Sequence, residues 1–145
     1  HSLLAQIRSS GIAPSRIEFE ITETAVMSDF PTASQLLQEL SAAGCKIALD
    51  DFGSGYSSFE YIDLLPLDKV KVDKSFVRKV AHNRTSREIV SGIIRLCRNL
   101  NLQCVLEGVE TEEELAILLP LEPEIIQGYL FGRPMTEASA RALAA

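Results

Sequence analysis

Residues 47–58 (IALDDFGSGYSS) set the strongest limit on the folds open to this chain. In this stretch an apolar run ends in two adjacent carboxylates, Asp50 and Asp51, and a loop with Gly53 and Gly55 leads into a helical pattern. A βα unit presents ligands in this way, at the carboxyl end of a parallel strand. Adjacent carboxylates repel each other unless a cation lies between them, so a divalent metal site is one interpretation. The other is a turn in which an aspartate caps the next helix.

The bulk composition limits the classes of protein to which the chain can belong. Its 145 residues suffice for one domain with a hydrophobic core. No apolar run reaches the roughly 18 residues that a membrane span needs. The net charge of −6 argues against unspecific nucleic-acid binding, so we expect no direct DNA binding. The three cysteines show no CxxC or metal spacing, which predicts reduced, buried thiols in a cytoplasmic protein.

Short apolar runs alternate with helical patterns along the chain. The predicted strands are residues 16–22, 45–50, 68–73, 102–107 and 124–127. The predicted helices are residues 3–10, 31–43, a short segment ending near 65, 86–100, and the segments that begin after Thr111 and at Thr136. Thr111 with Glu114 three residues later is the pattern of a capping box. The alternation predicts an α/β domain with a parallel sheet.

Polar side chains stand at the end of every predicted strand. They are Glu20, Asp50, Asp51, Lys71, Asp73, Glu107 and Gln127. A TIM-type (β/α) barrel builds its active site where the carboxyl ends of its strands meet. Such a barrel has eight strands and about 250 residues, whereas this chain supplies five βα units in 145 residues. We therefore predict an incomplete barrel without its N-terminal third, whose open strand edges favour association.

Five segments occur together in one order: residues 18–23 (EFEITE), 50–58 (DDFGSGYSS), 71–73 (KVD), 107–111 (EGVET) and 127–134 (QGYLFGRP). In order and spacing they resemble the EAL-domain family of cyclic-di-GMP phosphodiesterases, across nearly the whole chain. The resemblance implies a barrel whose strand ends bind two Mg²⁺ or Mn²⁺ ions and the cyclic dinucleotide. Residues 1–145 then correspond to the C-terminal part of one EAL domain.

The resemblance implies a catalytic role for five matched side chains. Glu20 and Asp50 correspond to metal ligands, and Asp51 corresponds to a ligand of the second metal ion. Lys71 corresponds to the lysine that holds and polarises the attacking water. Glu107 corresponds to a further acid in the network of metal and water.

Other matched positions concern the substrate and the glycine loop. Gln127 corresponds to a glutamine at the site, and Glu23 to the acid that braces the loop containing Gly53 and Ser54. The loop of residues 52–58 also contributes to the dimerisation surface in the family, so we expect a homodimer.

The expected activity is divalent-metal-dependent hydrolysis of cyclic-di-GMP to the linear dinucleotide, in bacterial second-messenger signalling. The alternative is a receptor or scaffold that binds cyclic-di-GMP without turnover. Such proteins usually lose a metal ligand or the lysine, and every such position within this sequence is intact. Whether sensor or GGDEF domains, or a membrane anchor, belong to the parent chain stays open.

The sequence departs from the family pattern in two respects. The Glu-Ala-Leu segment and an asparagine ligand lie upstream of this sequence, so we expect residues 1–145 alone to be inactive or severely impaired. Leu106 occupies a position where a small alanine is usual, which predicts slight crowding of the site. Glu18 and Asp73 are interpreted as structural polar residues.

Overall fold

A computed structural model of the chain describes residues 3–53 and 60–143. Its sheet contains β1 (Glu18–Thr22), β2 (Lys46–Phe52), β3 (Lys69–Val72), β4 (Gln103–Glu107) and β5 (Ile125–Gln127). The strands lie in the sheet in the order of the chain, and each pairs in parallel with the next. The predicted α/β class with a five-stranded parallel sheet, as in an incomplete barrel, is therefore confirmed.

Helices lie before, between and after the strands, and all but the last contribute buried side chains to the core on one face of the sheet. They are α1 (Leu3–Ser9), α2 (Glu23–Ser28), α3 (Phe30–Ala42), α4 (Glu60–Leu64), α5 (Lys74–Val77), α6 (Arg84–Asn99), α7 (Glu112–Leu118) and α8 (Glu137–Leu143). The short helices α2 and α5, which directly follow β1 and β3, were not predicted from the sequence. Both begin at the strand ends where the polar side chains lie. Because their first turns begin with polar residues, the sequence shows no apolar helical period there.

The two faces of the sheet differ in chemistry. The helix-covered face contributes Ile47, Leu49, Val70, Val72, Cys104 and Leu106 to the hydrophobic core. The opposite face carries the ion pairs Glu18–Lys69 and Glu20–Lys71. Because side chains alternate along a strand, the spacing that buries Val70 and Val72 also turns Lys71 toward the polar face. Leu106 is completely buried in the core, so the predicted crowding of the site by this side chain is wrong.

Side chains cap the first turns of α6 and α7. The Asn83 side chain accepts a hydrogen bond from the Ser86 amide at the start of α6. The predicted capping box of Thr111 and Glu114 is present at the start of α7.

The three cysteines are buried free thiols, as predicted. None of the helices in the described ranges is long and apolar enough to cross a membrane.

Candidate active site

The carboxyl end of β2 departs from a regular strand. The sequence predicts that this strand ends at Asp50, but β2 continues to Phe52, which is buried. The pairing with β3 shifts between Leu49 and Phe52, which marks a bulge, and Asp51 has a φ of 55°. In a regular strand neighbouring side chains point to opposite faces, whereas an inserted residue re-aims them. The bulge therefore lets two consecutive aspartates serve one site.

Three carboxylates meet at this edge of the sheet. Asp50, Asp51 and Glu107 each have an oxygen atom, and these atoms lie within 4.8 Å of one another. The Asp51 amide donates a hydrogen bond of 2.9 Å to Asp50 Oδ1, which holds one carboxylate against the bulge. Carboxylate oxygens are the ligands that Mg²⁺, Mn²⁺ and Ca²⁺ prefer. The donor set thus fits a divalent cation, and the metal interpretation of the aspartate pair is favoured over a simple turn.

Lys71 projects from β3 into the same edge. Its Nζ lies 2.8 Å from a Glu20 oxygen, 3.3 Å from Asp50 and 2.8 Å from Glu107, so it contacts carboxylates from three other strands. Burial of the Lys71 ammonium lowers its pKa, but the hydrogen bonds to Glu107 and Glu20 and the charges of Glu107 and Asp50 outweigh that effect. The pKa of Lys71 therefore lies above its ordinary value, and the side chain is a cation at neutral pH.

The four predicted acidic residues belong to two overlapping sets, the ion-pair partners of Lys71 and the cluster of three carboxylates. Glu20 is paired with Lys71, whereas Asp51 lies only in the cluster of carboxylates. Asp50 and Glu107 belong to both sets, because each contacts Lys71 and the other carboxylates. All of the predicted metal and catalytic residues thus lie at one edge of the sheet.

Glu23 connects the start of α2 to the glycine loop. Its side chain is 7% exposed, and a carboxylate oxygen accepts a hydrogen bond of 3.2 Å from the Gly53 amide. Gly53 has a φ of 91°, and a Cβ atom there would lie 2.7 Å from Phe76. Only glycine fits both requirements, which explains its place in the motif. Ser54 and most of the loop of residues 52–58 lie outside the described ranges.

A groove of about 470 Å³ extends from the carboxylates toward β5. Its lining residues are Lys74, Arg78, Glu107, Gly108, Glu110, Gln127, Gly128, Tyr129, Gly132, Arg133 and Pro134. Gln127 ends β5 in register with Glu107, so the predicted site glutamine lies at the junction of groove and carboxylates. The Arg133 guanidinium lies 4.7 Å from the centre of the Tyr129 ring. The groove lining combines three cations, two carboxylates and one aromatic ring, and such cations beside a ring can contact a phosphorylated ligand with a flat base.

Several groove residues were not identified from the sequence. Glu110 lies just before α7, which begins at Glu112, and forms an ion pair with Arg78. The position of Glu110 inside the EGVET segment was the signal that could have identified it as a site residue. Arg78 carries no such signal, because its contact depends on the packing of α5 against the loop after β4.

The two residues interpreted as structural have structural contacts. Glu18 pairs with Lys69 at 2.6 Å, on the polar face of the sheet. Asp73 accepts a hydrogen bond of 2.9 Å from the Ser75 amide and caps α5. Asp73 therefore fixes the turn that directly follows the Lys71 strand.

These observations define a parallel α/β protein of the barrel type with an acidic cation site at the carboxyl ends of its strands. The family model described as the EAL domain matches residues 1–134. The chain belongs to the EAL-domain family.

Comparison with known proteins gives the same result in sequence and structure. The cyclic di-GMP phosphodiesterase NbdA of Pseudomonas aeruginosa is 40% identical over 142 residues, which are 95% of this chain and 18% of NbdA. The solved cyclic-di-GMP complex of the MucR phosphodiesterase matches with a TM-score of 0.85 and 42% identity, over 94% of this chain and 55% of that one. Klebsiella pneumoniae BlrP1 with manganese and the cyclic dinucleotide matches with a TM-score of 0.85 and 38% identity, over 91% and 34% of the chains. The chain thus spans less than a fifth of NbdA.

Proposed function

We propose that this protein hydrolyses cyclic-di-GMP to the linear dinucleotide with the help of divalent cations. The observation that carries the proposal is the position of Lys71, a buried cation in contact with three carboxylates and beside the group of Asp50, Asp51 and Glu107. The solved structures of MucR and BlrP1 are complexes with the cyclic dinucleotide, which supports the choice of substrate.

The carboxylates are proposed to bind the cations, and Lys71 is proposed to orient the attacking water. Asp50, Asp51 and Glu107 would hold a divalent cation, and Glu20, whose side chain is 47% exposed beside Lys71, is the candidate for a further metal contact. When bound, such cations lower the pKa of water and neutralise charge on the phosphoryl oxygens. Lys71 would place a positive charge beside these carboxylates, where it can orient the attacking water.

The substrate is proposed to lie along the groove, with its scissile phosphodiester near Lys71. Gln127 stands between the carboxylates and the groove, where an amide can donate to and accept from a nucleotide. Glu23 holds the Gly53 amide, so we assign it to the support of the glycine loop that contains Ser54.

We further propose that residues 1–145 are the C-terminal part of one EAL domain, and that upstream sequence completes the barrel. Support comes from the five strands of the sheet, compared with eight in a full barrel. The longer MucR chain, of which this chain covers 55%, supports the same proposal. A homodimer, a cytoplasmic location and inactivity of residues 1–145 alone are parts of this proposal.

The test is hydrolysis of cyclic-di-GMP in the presence of Mg²⁺, with chromatography of the linear product. It is run on residues 1–145 and on the full-length protein that contains them. Asp50→Asn and Glu20→Gln are expected to abolish turnover. Glu18→Gln is the matched control, because Glu18 lies on the same strand and face as Glu20 but pairs with Lys69.

Each outcome decides between the functions. Turnover by the full-length protein that Asp50→Asn abolishes and Glu18→Gln preserves supports the phosphodiesterase. Binding of cyclic-di-GMP without turnover in the full-length protein overturns it in favour of a receptor. Turnover by residues 1–145 alone overturns the proposal that upstream groups are indispensable.

A further inference from the structure

The loop that follows β4, residues 108–111, is hydrogen-bonded to β5 on one side. The Val109 amide donates to the Gln127 carbonyl at 3.2 Å, and the Leu130 amide donates to the Val109 carbonyl at 3.1 Å. Val109 is completely buried, and Gly128 packs directly on its backbone, since a Cβ there would lie 2.0 Å from the Val109 oxygen. This loop therefore sets the position of Gln127 relative to Glu107.

On its other side the loop is held by a single buried carboxylate. Oε2 of Glu114, a residue that is 7% exposed, accepts hydrogen bonds from the Glu110 amide at 2.8 Å and the Thr111 amide at 3.1 Å. A capping box needs only the bond to the N-cap amide, here that of Thr111. The second bond reaches one residue farther toward the site, so Glu114 does more than cap α7.

The two sets of hydrogen bonds act on one peptide unit. The carbonyl of Val109 is held from the β5 side and the amide of Glu110 from the α7 side. Glu107, which contacts Lys71 at 2.8 Å, lies three residues before that amide. Glu110, in turn, pairs with Arg78 in the wall of the groove. A change in the orientation of this peptide unit therefore moves groups in both the carboxylate site and the groove.

We propose that Glu114 is a positioning residue for the reaction, which holds the loop so that Glu107, Glu110 and Gln127 keep their mutual geometry. This role rests on the proposed phosphodiesterase function. Partners that orient the ligands of a metal typically change metal affinity or activity by about 10- to 100-fold when they are removed. Bonds to a charged acceptor are stronger than neutral ones, which suits a carboxylate in this place.

The test compares Glu114→Ala with Asn83→Ala in the full-length protein that contains this sequence. Asn83 caps α6 by accepting a hydrogen bond from Ser86, so its loss also removes a helix cap but touches no part of the loop. Glu114→Gln is the conservative variant, because one amide oxygen can accept both hydrogen bonds. We measure kcat and KM for cyclic-di-GMP, the affinity for Mn²⁺, urea unfolding, and hydrogen exchange of the Glu110 and Thr111 amides.

We expect Glu114→Ala to reduce kcat or Mn²⁺ affinity by about 10- to 100-fold and to speed exchange of both amides. Glu114→Gln should recover most of the loss, and Asn83→Ala should lower stability alone. A Glu114→Ala protein that matches Asn83→Ala in kinetics, Mn²⁺ affinity and amide exchange overturns the proposal.

Two further outcomes remain decisive. If Glu114→Ala does not fold, Glu114→Asp takes its place, since it keeps the charge but is too short to make both bonds. If the wild-type protein does not hydrolyse cyclic-di-GMP, the proposed function fails. The amide exchange and Mn²⁺ affinity then still show whether Glu114 positions the loop.

Discussion

Replacement of Lys71 by methionine tests the electrostatic account of the site. The Lys71 side chain is 8% exposed, and its partners Glu20, Asp50 and Glu107 are 47%, 22% and 20% exposed. Methionine has a similar length but no charge, so the variant leaves these carboxylates without their cation. Loss of one partner of a fully buried ion pair costs about 3–5 kcal/mol, and exposed pairs are worth about 0–1 kcal/mol. Since the carboxylates keep part of their hydration, we expect a loss of about 2–3 kcal/mol.

The assay is thermal unfolding of wild-type and Lys71→Met protein, first in EDTA and then in Ca²⁺. For a domain of this size, the expected loss lowers the Tm by roughly 10 °C in EDTA. In the wild-type protein Lys71 occupies the same carboxylates that a cation would use, Asp50 and Glu107. We therefore expect Ca²⁺ to raise the Tm of the variant more than that of the wild type, because binding to the folded state stabilises it.

Lys69→Met is the matched control. Lys69 lies on the same strand and face, but it contacts Glu18 at 2.6 Å. Among the described residues it forms no ion pair with the clustered carboxylates of Asp50, Asp51 and Glu107. Its loss should cost about 1 kcal/mol and leave the response to Ca²⁺ unchanged. Equal Tm values for wild-type and Lys71→Met protein in EDTA, or an equal Ca²⁺ response in all three proteins, would refute the reasoning.

Three further predictions follow from the packing of the chain. Gly128→Ala should lower stability by about 3 kcal/mol or more, because its Cβ would lie 2.0 Å from a backbone oxygen of Val109; Gly92→Ala, with nothing within 4 Å, should be neutral or stabilising in the same urea titration. Glu23→Ala should speed hydrogen exchange of the Gly53 amide, and unchanged exchange would show that the 3.2 Å hydrogen bond does not hold the loop. All three cysteines are buried, so a thiol reagent at pH 8 should label them only after unfolding, and rapid labelling of the native protein would contradict this burial.

The predictions from sequence succeeded where the physical rule is local. Apolar and polar residues alternate in the sequences of β1 and β3, and the structure places Glu20 and Lys71 together on the polar face. The capping box at Thr111 was likewise visible as a spacing of three residues. Such periods are set by the geometry of one strand or one helix, so they can be recognised without knowledge of the fold.

The sequence by itself thus determined the class of fold, the succession of strands and helices along the chain, and the end of the sheet at which the polar residues gather. The tertiary structure alone decided the bulge that aims Asp50 and Asp51 at one site, the three carboxylate partners of Lys71, and the pairing of Arg78 with Glu110. It also turned Leu106 into the core rather than toward the site. These features depend on the register between strands and on contacts between residues far apart in sequence. The periodic pattern of residues within one strand or helix does not predict such contacts, because they form only when the strands pair and the helices pack against them.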